Sequence, residues 1–251
     1  MPKLTVIILT KNEEKNIAAA IKSADFADEV LVIDSGSTDA TQKIALENGA
    51  RFVEHLMGEN GFAGQRNFAL TKTDADWVFY LDADERILPE TAAEIKAIVR
   101  ENKPIAGRVK RLNVAFGQLM RYGDHKPDWV TRLFKRDMVH WEGVVHEGAA
   151  TDCSVIKLKN PLHHYTYTDW TRYFDKFNQY TTLMADKMYA RGKRVSFAAI
   201  IFHPLFAWFR FYILRLGFLD GKQGFILSVN HYFYTMTKYV KLYYKAREEK
   251  Q

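Results

Sequence analysis

Leu4 to Leu9 is an unbroken apolar and β-branched run, which predicts a strand buried on both faces. Asn12 then stands as a helix cap, with Glu13 and Glu14 in a first turn where the helix dipole favours acids. Ile17, Ala20, Ile21 and Ala24 follow at helical spacing. Glu29 to Ile33 predicts a second strand ending at Asp34, residues 35–41 (SGSTDAT) a turn, and Thr41 to Asn48 a helix closed by Gly49. Arg51 to Glu54 is a short third strand, Gly58 to Gly64 a glycine-containing loop, and Gln65 to Leu70 the start of another helix. Trp77 to Leu81 (WVFYL) is a fourth strand ending in Asp82, followed by a helix from Pro89 to Arg100. This alternation predicts an α/β unit with a mainly parallel sheet and helices on both faces. Such sheets bind ligands beyond the carboxyl ends of their strands, and Thr10, Asp34 and Asp82 all fall there.

A different pattern governs the last third. Asp169 can cap a helix running to Ala190, with Tyr173, Phe177, Tyr180, Met184 and Met188 as its apolar stripe. The stretch 195–219 follows; its uncharged part, Val195 to Phe209, falls short of the roughly 20 residues that span a bilayer, and Pro204 interrupts it. One or two helices lying in a membrane interface are expected, with Trp208, Tyr212, Arg210 and Arg215 at headgroup level. A buried helical hairpin on the catalytic domain and a kinked span are the rivals. The last helix, Asn230 to Arg247, alternates aromatics with Lys238, Lys241 and Lys245. The boundary is placed between 168 and 169, giving a domain 1–168 and a helical region 169–251.

Length and composition agree with this division: 251 residues, 47% hydrophobic and 26% charged, exclude wholesale disorder. The single cysteine, Cys153, excludes an internal disulfide and a multi-cysteine metal site. The N-terminal apolar run is too short for a signal peptide, so a cytoplasmic setting is expected. The net charge of +6 is uneven: residues 1–152 carry 20 Lys+Arg against 24 Asp+Glu, and residues 153–251 carry 16 against 6. Basic charge beside aromatics suits an anionic membrane surface. Nucleic acid is the rival partner on charge alone, and solvated lysines are the plain alternative.

The chemistry centres on LDADE at 81–85. Asp82 and Asp84, one residue apart after a buried strand, can offer hard oxygen ligands to Mg²⁺ or Mn²⁺ bridging a diphosphate; a solvated acidic turn is the plain alternative. Asp34 can accept hydrogen bonds from a base or ribose, while Asp39 reads as a helix cap. Thr10 and Glu13 can reach the same nucleotide, and Arg66 can contact it or its phosphates; a first-turn acid and a surface salt bridge are the alternatives. In 129–136 (WVTRLFKR) apolar and basic residues alternate, as in a strand bordering an anionic acceptor. For Lys110, Arg111, Arg132, Lys135 and Arg136 taken singly, a solvated strand face is the default.

TVIILTKNEE, VLVIDSGSTDAT, GQRN and WVFYLDADE, in this order, resemble the inverting family 2 glycosyltransferases of the GT-A fold. IDSGSTDAT, FAGQRN and GVVHE are more narrowly similar to bacterial lipopolysaccharide core β-1,4-glucosyltransferases. The resemblance implies that Thr10, Glu13 and Asp34 line a nucleotide pocket flanked by Arg66, that Asp82 touches ribose or metal, and that Asp84 is the direct metal ligand. It implies a later histidine ligand, His164 before His163, whose side chain would point to the opposite strand face. An inverting transfer needs a general base for the acceptor hydroxyl; Glu147 is implied, with Glu142 and Asp128 behind it. Glu142 could instead pair with Arg132. If 140–148 is a strand, Glu142 and His146 share a face opposite Glu147.

The expected activity is transfer of a hexose, glucose from UDP-glucose, to a core or other lipid-linked saccharide on the cytoplasmic face of the inner membrane. A nucleotidyltransferase would want a glycine- and lysine-rich loop after the first strand, where TKNEE stands. A non-catalytic membrane or nucleic-acid binding protein on the same fold leaves three acids and hydroxyls at strand ends without a purpose.

Overall fold

The computed structural model describes residues 1–143 and 148–248. The chain forms two compact units, one of residues 1–112 and 128–165, the other of 113–127 and 166–251. The second therefore takes in a segment that a single break at 168/169 does not anticipate.

The first unit opens with β1 (Leu4–Thr10), α1 (Ile17–Ser23), β2 (Glu29–Asp34), α2 (Thr41–Glu47), β3 (Arg51–Glu54), α3 (Gly61–Leu70) and β4 (Trp77–Asp82). It continues through β5 (Glu85–Ile87), α4 (Pro89–Glu101) and β6 (Ile105–Ala115), whose end enters the second unit and pairs with β7 (Gln118–Leu119). It returns with β8 (Asp128–Lys135), β9 (His140–Glu142), β10 (Gly148–Ala150), β11 (Ser154–Lys157) and β12 (Leu162–Tyr167). The sheet order is β3-β2-β1-β4-β8-β6-β12-β5. The first four strands are parallel, whereas β8 joins β4, and β6 joins β8, antiparallel.

The apolar runs of β1 and β4 are continuous because both sheet faces are covered. Val6, Ile8, Phe79 and Leu81 pack with Ile17 and Ile21 of α1 and Ile95 of α4. Ile7, Val78 and Tyr80 face the other way, with Ala63 and Ala69 of α3 and with Trp141. The α/β architecture with helices on both faces is present as expected. Register then aligns the strand ends, pairing Thr10 with Asp34 and Leu9 with Asp82.

Several local expectations are corrected. Asn12 does not cap α1; it takes φ 54° in the loop, and the helix starts four residues after Glu13 at Ile17 with no acid in its first turn. The Asn12 side chain accepts the Thr38 N–H at 2.8 Å, its own N–H donates to Ser37 Oγ at 2.7 Å, and the Glu13 N–H donates to Thr41 Oγ1 at 2.8 Å. The hydroxyls of SGSTDAT thus lace one strand-end loop to the other. Asp39 accepts the Thr41 N–H at 3.0 Å one residue upstream of the assigned cap, Ala40. The 58–64 loop is shorter than expected, because α3 already begins at Gly61. The 140–148 strand stops at Glu142, and Gly143 takes φ 90°.

The second unit contains α5 (Trp170–Ala190), α6 (Phe197–Phe209), a π-helical turn (Arg210–Leu214) and α7 (Gly221–Glu248). Asp169 caps α5 as expected, accepting the Thr171 N–H at 2.7 Å. The α5 stripe holds at Tyr173, Phe177 and Met188, which are half-buried, but shifts by one position at its centre: Thr181 and Ala185 are buried, while Tyr180 and Met184 are exposed. Lys241 of α7 explains the polar member, donating to Thr181 Oγ1 at 2.9 Å. Pro204 does not break the apolar segment but sits buried inside α6. The last helix starts at Gly221, nine residues before the expected Asn230.

Gly107 of β6 lies against β8, where an added Cβ would meet Leu133 Cβ and Leu158 Cδ1, each at 2.9 Å. Gly107→Ala is expected to cost about 1–3 kcal/mol by overpacking, read from the urea midpoint.

Candidate active site

Beyond the carboxyl ends of β1 and β4 lies a cleft of about 360 Å³. Its walls include Thr10, Glu13, Ser35, Arg66, Asp82, Asp84 and His164. Each arrives by a simple rule. Thr10 and Asp82 end two parallel strands in near register. Arg66 projects from α3, which covers the sheet face shared by Val78, Tyr80 and, by alternation, Asp82. β12 runs antiparallel to β5 and sets His164 opposite Glu85, while the Tyr165 N–H donates to the Asp84 carbonyl at 2.8 Å. His164 Nε2 therefore stands 3.4 Å from Asp84 Oδ2. Burial opposes the protonated imidazole, but the Asp84 carboxylate outweighs it and holds the His164 pKa above its ordinary value.

Beneath the cleft runs an ionic chain. Arg132 of β8 is 4% exposed; it donates to an Asp82 carboxylate oxygen and, at 2.8 Å, to Glu85 Oε1. Glu85 is fully buried and also accepts the Asp82 N–H at 3.0 Å. Arg111 of β6 reaches Glu85 Oε1 at 3.3 Å and forks onto Asp128, its cross-strand partner, at 3.0 and 2.6 Å. Arg66 approaches Asp82 at 3.5 Å and lies 4.4 Å from the centre of the Trp141 ring. Burial alone would raise the Asp82 pKa, but Arg132 and Arg66 bring it down to about 2. Burial pushes Glu85 the other way, upward, against the pull of Arg132.

The structure brings together Thr10, Glu13, Arg66, Asp82, Asp84 and His164 around one cleft. His163, on the opposite strand face, is not among its walls. Ser35 lines the cleft where Asp34 was expected; Asp34 is 2% exposed and spends its carboxylate on the Gly36 and Ser37 N–H groups and the Ser37 hydroxyl. Glu147 and His146 lie outside the described residues. Glu142 is exposed and does not pair with Arg132, whose partners are Asp82 and Glu85; Asp128 is occupied by Arg111. Arg132 is therefore no solvated strand residue. Glu85 was missed, although it stands inside the quoted LDADE motif. Its only signal was a third acid on the same short turn.

A family model described as Glycosyl transferase family 2 matches residues 5–160. The chain belongs to that family. It is 30% identical over 257 residues to the lipopolysaccharide core biosynthesis glycosyltransferase LpsC of Rhizobium meliloti, covering 97% of this chain and 93% of that protein. It is 29% identical over 262 residues to an uncharacterized glycosyltransferase of Rickettsia conorii, covering 96% and 89%. Glucosyl-3-phosphoglycerate synthase from Mycobacterium tuberculosis, solved with Mn²⁺, UDP and glucosyl-3-phosphoglycerate, matches at 20% identity and TM-score 0.40. That match covers 54% of this chain and only 57% of the solved one. The protein is thus a family 2 glycosyltransferase that resembles a lipopolysaccharide core enzyme.

In this glycosyltransferase the buried ionic chain is only as good as its partners. Arg132→Met would strand Glu85 and Asp82, and stability is expected to fall by about 3–5 kcal/mol. Adding Glu85→Gln should recover part of that loss; urea unfolding of the two variants measures both.

Proposed function

We propose that the chain transfers a hexose, glucose from UDP-glucose, with inversion onto a lipopolysaccharide core or other lipid-linked saccharide, and that the transfer depends on Mg²⁺ or Mn²⁺. The observation that carries this reading is the 3.4 Å approach of Asp84 Oδ2 and His164 Nε2 in the strand-end cleft. The likeness to LpsC along nearly the whole chain supports the acceptor class.

One carboxylate oxygen and one imidazole nitrogen suit a hard to borderline dication. Among the described residues no group of three or more His, Cys, Asp or Glu is arranged to hold a metal. A two-ligand set would fit an ion held jointly by the protein and the nucleotide-sugar. When bound, the ion supplies positive charge against the departing diphosphate. Asp84 and His164 would hold it. Asp82, already compensated by Arg132 and Arg66, would serve as a hydrogen-bond acceptor for the ribose. The Thr10 hydroxyl, buried at the cleft wall with no hydrogen-bond partner among the described residues, would be satisfied by the nucleotide. Glu13 and Arg66 would border the nucleotide, and Asp34 would act through the turn that presents Ser35 and Gly36. Glu147 would take the acceptor proton. The enzyme would work as a peripheral protein on the cytoplasmic face of the inner membrane, where its acceptor is made.

Asp84→Asn is expected to lower transfer from UDP-glucose by about 10³-fold or more while the circular dichroism spectrum stays that of the parent. Glu147→Gln should lower turnover by about 10²–10⁴-fold with nucleotide affinity unchanged, as for loss of a general base. The assay offers a panel of UDP-sugars and a lipid-linked core acceptor, with Mn²⁺ or with chelator. If no sugar nucleotide is consumed, even by hydrolysis, the proposal fails.

A further inference from the structure

We infer that the second unit docks in the plane of an anionic phospholipid surface through the outer face of α6, the π-helical turn and the start of α7. The inference rests on the reading of a peripheral enzyme above, and adds the surface, its orientation and its lipid chemistry.

α6 turns one narrow stripe inward. Ile200, Pro204 and, within the π-helical turn, Phe211 are buried, at spacings of four and seven residues. Apart from the exposed His203, the rest of the helix is as apolar as its buried side. Phe202 is 68% exposed, Phe197 63% and Phe206 60%. A soluble surface rarely leaves such a run uncovered. The π-helical turn keeps the pattern going: Phe211 points in, 1% exposed, while Leu214 remains 59% exposed. Tyr212 then joins Phe218 and Phe225, with ring centres 6.1 and 5.9 Å away. With Ile226 and Lys222 these three line an apolar groove of about 430 Å³. An apolar groove with one ammonium in its wall suits an acyl chain below an anionic headgroup.

Charge selects the occupant. Residues 191–222 contain six bases, Arg191, Lys193, Arg194, Arg210, Arg215 and Lys222, against the single acid Asp220. Asp220 is 5% exposed and spends its carboxylate on the Arg121 and Tyr122 N–H groups. Arg215 is ion-paired with Asp124 of the same unit, and the exposed apolar face still sits in a segment with an excess of bases, which matches anionic lipid.

Orientation follows from the neighbour. The window Phe197–Leu214 is 18 residues long and apolar enough to cross a membrane by length and composition. It packs, however, along α7. That helix carries Lys238, Lys241 and Lys245; Lys241 is bonded to Thr181 and Lys245 to Asp186 of α5. Threading α6 through a bilayer would carry those charges into hydrocarbon or tear the pair apart. Lying in the interface costs neither.

The test is co-sedimentation of the full-length protein with vesicles of phosphatidylcholine alone and of phosphatidylethanolamine with phosphatidylglycerol. Binding is expected to the anionic vesicles, weakened by salt, and the Phe202→Glu/Phe206→Glu double variant should partition about 10²-fold less well. Both side chains are exposed, so the variant should keep its circular dichroism spectrum and its UDP-sugar hydrolysis. Trp208 fluorescence should be quenched more by lipids brominated near the headgroup than near the chain end. Parent protein that ignores anionic vesicles, a double variant that binds equally well, or deep quenching overturns the inference. So does a lipid-free dimer of the parent that the double variant abolishes, since the face would then belong to a second copy. Vesicle binding without any sugar-nucleotide turnover would defeat the proposed activity and leave this surface standing.

Discussion

The contact on which the active-site floor depends is the one between Arg132 and the two acids Asp82 and Glu85. A buried guanidinium that serves two carboxylates must be placed within tenths of an ångström, since either acid left alone in that environment would be strongly destabilising. Arg132 is held by β8, which runs antiparallel between β4 and β6. Its position therefore couples the parallel half of the sheet to the antiparallel half. Arg111 and Asp128 extend the same charge chain to the neighbouring strand.

This arrangement divides the labour within LDADE. Asp82 and Glu85 are ion-paired with arginines from distant strands and α3 and shape the turn, although burial still holds the Glu85 pKa above its ordinary value. Asp84 lies between them in sequence but projects into the cleft toward His164. Arg86 braces the turn from behind, donating to the Ala83 carbonyl at 2.8 Å and to the Asn16 carbonyl at 3.1 Å. Three acids within four residues would otherwise repel one another into solvent. The scaffold fixes two of them and leaves the third at the cleft wall.

The loops show the same economy. Asp34 and the hydroxyls of Ser37 and Thr41 look like ligand-binding groups in sequence, yet they tie the first two strand-end loops together. Polar residues at a strand end serve two demands at once, satisfying local backbone donors and presenting others to the cleft. Period and motif cannot separate these roles, because both use short side chains in turns. For that reason Ser35, and not Asp34, reaches the cleft wall.

The sequence by itself determined the parallel core, the strand ends and the family, because long apolar runs and ordered motifs are local signals that survive any tertiary context. It also carried Asp169 as a cap, and the family resemblance implied Thr10, Glu13, Asp34, Arg66, Asp82, Asp84 and His164 at one site, of which all but Asp34 line the cleft. Only the tertiary structure decided which acids are ion-paired, since Arg132 meets Glu85 through strand pairing across 47 residues of chain. It alone showed that the α5 stripe turns by one residue to meet Lys241, and that Pro204 lies within an unbroken helix whose inward side is only one stripe wide. Those outcomes depend on which surface a neighbouring element presents, and that quantity is absent from any single stretch of sequence.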